Sequence, residues 1–161
     1  MRYRLHKLLH EPVGSRQSAS LDQGAFAFDE TLHVPFLRGE FLFTRLSRAI
    51  LVQGQIETQV TLQCVRSLER FDLPLKVALE GVLFSLPNFP AEEPSRQVSD
   101  DGWIDLTETL REEIILSMPT NPIHPKFVHA DPRDLLSELE VEEAADWLSI
   151  KLANRDSTEE R

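Results

Sequence analysis

A single cysteine among 161 residues leaves no partner for an internal disulfide. With nothing else pointing to secretion, a cytoplasmic home is expected. No apolar run approaches the roughly 18 residues that span a membrane. The first twenty residues, His6, Lys7, His10 and Glu11 among them, hold no signal-peptide core. Glycine occurs six times and never in a cluster, so no phosphate-cradling loop is present. There is no internal repeat. These absences set aside the disulfide scaffold, the helical membrane protein and the glycine-loop nucleotide enzyme. What remains is an ordinary soluble composition, 41% hydrophobic and 27% charged, long enough for one domain with a real core.

Positive charge is also scarce, but unevenly. Residues 1–81 carry ten Lys/Arg against nine Asp/Glu, and residues 82–161 carry seven against eighteen. The net charge of −10 therefore belongs to the C-terminal half. An evenly acidic chain is repelled by nucleic acid at long range; the N-terminal half escapes that argument. The acidic half reads either as a solvated surface or as a face for a basic partner.

The most informative stretch runs from Ile50 to Glu80. Val52, Gly54, Ile56, Thr58, Val60, Leu62 and Cys64 share one phase, while Gln53, Gln55, Glu57, Gln59, Thr61 and Gln63 share the other. Phe71, Leu73, Leu75, Val77 and Leu79 alternate in the next run. A period of two over this length predicts long, half-buried antiparallel strands. Pro74 places the second on an edge or at a bulge. Met1–Leu9 reads as an edge strand, residues 15–24 as a mobile polar segment, and Phe26/Phe28 and Phe41–Leu46 as further strands.

Residues 87–101 form an acidic, proline-rich linker. Asp105 reads as a helix N-cap with Glu108 completing a capping box, and Leu106, Leu110, Ile114 and Met118 give that helix one apolar face ending at Pro119. Asp131-Pro132 opens a second helix to about Leu152. The expected fold is α+β: a twisted antiparallel β-sheet with two C-terminal helices. It forms a single domain over 1–152 (sheet 1–86, linker 87–101, helical part 102–152), with 153–161 as a disordered tail.

Phe36-Leu37-Arg38-Gly39-Glu40, Thr44-Arg45, Ile50-Leu51-Val52-Gln53-Gly54, Cys64-Val65-Arg66-Ser67-Leu68-Glu69-Arg70-Phe71 and Pro74-Leu75 follow one another in order. Downstream come Asp105-Leu106 and Arg111-Glu112-Glu113-Ile114-Ile115-Leu116, then Pro119 and Pro122. Over about residues 36–125 this resembles the YceD family, large-subunit ribosomal RNA accumulation proteins. The resemblance implies a role in the synthesis, processing or stability of large-subunit ribosomal RNA, with no established enzymatic chemistry. It also implies a Cys-x-x-Cys at the corner and a second cysteine cluster after the helix. This chain departs from that pattern: Cys64 is followed by Ser67, and only His124 and His129 lie downstream. Cys64, His124 and His129 supply at most three donors where structural zinc takes four. No metal and no cofactor is expected, and Leu68 and Phe71 are expected to anchor the corner by packing.

Cys64 sits on the apolar phase with no base or orienting residue tied to it, so a structural cysteine is favoured over a nucleophile. Arg38, Arg45, Arg48, Arg66 and Arg70 are the candidate RNA contacts, since guanidinium pairs with phosphate and stacks on bases; the competing reading pairs them with Glu57, Glu69 or Asp72. Glu138, Glu140, Glu142 and Glu143 are the candidate contacts for a basic ribosomal protein. The glutamine-lined strand lacks the exposed aromatics of an RNA-stacking platform, which keeps a general protein-interaction module open as the alternative. The expected partners are therefore a ribosomal protein or large-subunit ribosomal RNA, with no membrane; the sequence leaves the oligomeric state open.

Overall fold

The computed structural model describes residues 1–91 and 93–127. The helix expected from Asp131, the tail 153–161, His129 and the four candidate glutamates lie outside the described residues. The chain divides into two compact units. The larger comprises Met1–Leu62 and Asp72–Thr120; the described part of the smaller comprises Gln63–Phe71 and 121–127.

The larger unit is built on a four-stranded antiparallel sheet. Its members are β2 (Arg16–Gln23), β5 (Leu37–Arg45), β6 (Ala49–Gln63) and β7 (Arg70–Ser85), in the order β2-β5-β6-β7. The long alternating run became β6 and β7, as its period requires. Two further pairs flank the sheet: β1 (Arg2–Arg4) with β8 (Trp103–Asp105), and β3 (Phe26–Ala27) with β4 (His33–Val34). Helix α1 (His6–His10) and helix α2 (Thr107–Ser117) complete the set. One face of the sheet, with Leu37, Phe41, Phe43, Val52, Ile56, Val77 and Phe84, buries against Leu5 and Leu8 of the N-terminal segment and Leu110 and Ile114 of α2. The other face carries Ser18, Ser20, Arg38, Glu40, Gln53, Gln55, Glu57 and Lys76 and no aromatic side chain.

Several expectations are corrected. Residues 15–24 are not a mobile segment; they hold β2, whose half-buried Gln17, Ala19 and Leu21 pack beside β5. Met1–Leu9 is not one edge strand, because Leu5 and Leu8, three apart, are both buried and demand a helical turn. Of the two expected C-terminal helices the described residues include the first, α2, which is followed by a 3-10 turn at Pro125–Phe127. Leu106 occupies the N-cap of α2. Asp105 acts from one residue earlier, its Oδ1 accepting the Thr107 N–H at 3.0 Å. Glu108 turns to Arg111 (3.4 Å) instead of back to the cap.

Pro74 does lie on an edge strand, β7, where its missing N–H costs no internal bond. The alternation of β7 slips by one at Glu80–Gly81, where two successive residues are exposed, as at a bulge. Between β5 and β6, Gly39 faces Ile56 and Gly54 faces Phe41. A Cβ on Gly39 would stand 2.2 Å from the Gln55 carbonyl oxygen, and one on Gly54 2.4 Å from that of Glu40. The two glycines let this pair of strands close up around the large side chains opposite.

Candidate functional site: the Cys64 corner

Between β6 and β7 the chain turns through Cys64-Val65-Arg66-Ser67-Leu68-Glu69. Both ends of the turn are tied: the Cys64 N–H donates to the Glu69 carbonyl at 2.8 Å and the Leu68 N–H to that of Cys64 at 3.0 Å. Gln63 Nε2 donates to the Leu68 carbonyl at 2.8 Å. Closing so short a loop drives Leu68 to φ 59, the left-handed region that costs an L residue about 1–2 kcal/mol. It is the one non-glycine residue at positive φ among the described residues.

The second layer of this unit comes from 121–127. The Val65 N–H donates to the Pro122 carbonyl at 2.9 Å, the His124 N–H to the Cys64 sulphur at 3.3 Å, and Arg66 Nη1 to the Phe127 carbonyl at 2.9 Å. The His124 ring packs edge-on against Phe71 at 5.2 Å and near Phe127 at 5.9 Å. Cys64 and Phe71 are buried.

Burial pushes the Cys64 thiol up. The His124 N–H, the Ser67 hydroxyl, and the Ser67 and Arg66 N–H groups together outweigh it and bring the thiol down from 9.0 to about 7. The Ser67 oxygen is itself buried and makes no hydrogen bond of ordinary geometry among the described residues; it acts on the sulphur by proximity.

The corner does not fit a structural zinc ion. His124 Nδ1 accepts the Lys126 N–H at 3.1 Å, Ser67 stands where a second thiolate is needed, and no cluster of three or more His, Cys, Asp or Glu donors occurs among the described residues. The pair expected to anchor the corner also splits: Phe71 is buried as expected, whereas Leu68 is 68% exposed. Leu68 combines its positive φ with a side chain that faces solvent. Val65 is 51% exposed beside it, so the corner presents two apolar side chains next to Arg66 and the exposed Arg70. Alternation alone does not reveal this; the turn's φ and the bond to Pro122 decide it.

The other candidate arginines lie in the larger unit and form no single cluster. Arg38 pairs with Asp22 at 3.3 Å and lies over the Phe36 ring at 5.5 Å. Arg45, seven residues along the same strand and so about 23 Å away, is half-buried, and its Nη1 donates to the Leu46 carbonyl. Arg48 sits in the β5–β6 turn with its guanidinium 5.6 Å from the Phe89 ring. Glu57 pairs with Lys76 at 2.9 Å, and Asp72 accepts a hydrogen bond from Thr61 at 2.7 Å.

No helix among the described residues is long and apolar enough to cross a membrane. The family model described as large ribosomal RNA subunit accumulation protein YceD matches residues 52–150. No curated protein and no solved structure matches the chain.

Proposed function

The chain belongs to the YceD family, and from that premise we propose that it is a non-enzymatic cytoplasmic factor in formation of the large ribosomal subunit. It supports the synthesis, processing or stability of the large-subunit ribosomal RNA by binding that RNA or a ribosomal protein. The observation that carries this reading is the corner: Leu68 held outward at φ 59, with Val65, Arg66 and Arg70 around it. Strained backbone persists where surrounding bonds over-determine it, and it recurs at contact sites. The thiol supports a binding role over turnover, since it is buried and ringed by donors, and the nearest imidazole has one nitrogen already engaged.

Ribosome-subunit profiles in a strain lacking the protein test this. Loss of large subunits, restored by the native chain and not by a Leu68→Glu, Arg70→Glu variant, is the expected result. Unchanged large-subunit levels overturn it.

The alternative, a general protein-interaction module, draws on the outward sheet face, which offers serines, glutamines and paired charges without an aromatic platform. RNase treatment separates the two: recovery of ribosomal RNA that falls with salt and with Arg66→Ala plus Arg70→Ala marks phosphate contact, and RNase-resistant recovery of a protein marks a protein partner.

A further inference from the structure

The two margins of the main sheet differ. That of β7 is blunted by Pro74, by the slip at Glu80–Gly81, and by Gln97 and Val98, which run beside Ser85, with the Val98 N–H on its carbonyl at 2.9 Å. The outer margin of β2 has no proline, no lysine and no bulge, and nothing pairs with it among the described residues. The Ser15 carbonyl accepts the Arg45 N–H at 2.9 Å. That bond sets the phase: odd-numbered residues bond to β5, and the N–H and C=O groups of Arg16, Ser18, Ser20 and Asp22 point to the open side.

We propose that this margin pairs antiparallel with β2 of a second copy of the chain, about a two-fold axis at Ala19, joining two four-stranded sheets into one. The sequence of the strand is self-complementary about that point. Arg16 falls opposite Asp22 of the other copy, Ser18 opposite Ser20, and Ala19 opposite itself. Among registers that keep the outward groups hydrogen-bonded, this one alone sets Arg16 against Asp22. The charge is available for it: Arg16 is exposed and makes no ion pair among the described residues, and Asp22 is exposed with only the solvent-facing contact to Arg38. Gly14 and Gly24, with open space around both, fall opposite each other just past the ends of the ladder and bring no side chain into the way. Charges on an edge ordinarily repel a neighbouring strand; here their spacing makes them a register lock.

Sedimentation velocity across a concentration series reads the association directly. The native chain is expected to pass from monomer to dimer. Ser18→Pro removes an outward donor without breaking an internal bond, and Arg16→Asp sets like charges opposite each other twice; each is expected to weaken the dimer about tenfold or more. Mixing the Arg16→Asp chain with an Asp22→Arg chain is expected to form a heterodimer tighter than either variant alone, which only the register centred on Ala19 explains. Thermal unfolding of each variant confirms the fold. A native chain that stays monomeric throughout, leaving the margin to a segment of another protein, overturns the proposal. So does a dimer indifferent to both substitutions.

Discussion

The N–H of His124 donates to the sulphur of Cys64 across sixty residues of sequence, at 3.3 Å. A thiolate accepts such a bond better than a thiol, and the Ser67 and Arg66 groups act in the same sense. The native chain therefore favours the ionised form. Thiolate absorbance is expected to titrate near 7 in the folded protein and near the ordinary 9.0 in denaturant. Because the folded value is lowered, the stabilisation is complete above the unfolded value and fades as pH falls through about 7. A folded-state midpoint at the ordinary value would show that these donors do not reach the sulphur.

Leu68→Gly removes a Cβ from the one non-glycine residue at positive φ among those described. Since the side chain is mostly exposed, little packing is lost, and stability is expected to rise by about 0.5–1 kcal/mol in chemical denaturation. The same variant should lower large-subunit recovery in a complementation assay, separating what the residue does for folding from what it presents.

The paired glycines predict a contrast. Gly39→Ala and Gly54→Ala force a methyl group against backbone oxygens and should each cost about 1–3 kcal/mol. Gly81→Ala meets only Leu51 Cδ1 at 3.4 Å and should stay within about 0.5 kcal/mol of the native chain. Equal effects at all three sites would argue against the close approach of β5 and β6.

Thr58 is buried on the apolar phase of β6, and its hydroxyl donates to the Phe36 carbonyl at 2.6 Å. Thr58→Val keeps the shape and abandons that carbonyl, at an expected cost of about 1–2 kcal/mol by urea unfolding.

Acid should act through two carboxylates. Asp29 is held well below the usual range by the Thr31 hydroxyl, the Arg111 guanidinium at 2.5 Å, and the Leu32 and Thr31 N–H groups. Burial pushes Asp105 up, but the Thr107 hydroxyl and N–H, the Met1 amino group and Arg2 outweigh it and leave that carboxyl low as well. Depressed values mean stability that is whole above the ordinary 3.8 and lost as pH falls below it. Thermal midpoints should be level between about pH 5 and 6, below the range in which the Cys64 contribution changes, and drop below about pH 4, and Asp29→Asn with Asp105→Asn should flatten that drop.

The parts legible in the sequence were those where one face is fully apolar. β6 and β7 announce themselves because Val52, Ile56, Val60, Val77 and Leu79 must all turn one way. β2 escaped because an edge strand packed on one side needs only Ala19 and Leu21, and serine and glutamine elsewhere read as loop. The turn at α1 was hidden by Tyr3 and Leu5, whose spacing of two mimics a strand, although Leu5 and Leu8 do the burying. At the corner, Cys64 and Phe71 were readable from phase. The outward turn of Leu68 was not, because a left-handed residue follows from hydrogen bonds to neighbours and leaves no mark on hydropathy.

Among the described residues β1 pairs with β8 alone, with Arg2 opposite Asp105, and the Leu5 N–H rests on the Gly102 carbonyl at 2.7 Å. During synthesis β1 must therefore wait for about a hundred further residues before it can dock. The turn that Leu5 opens, its own N–H resting on Gly102, settles only once that length of chain has been made.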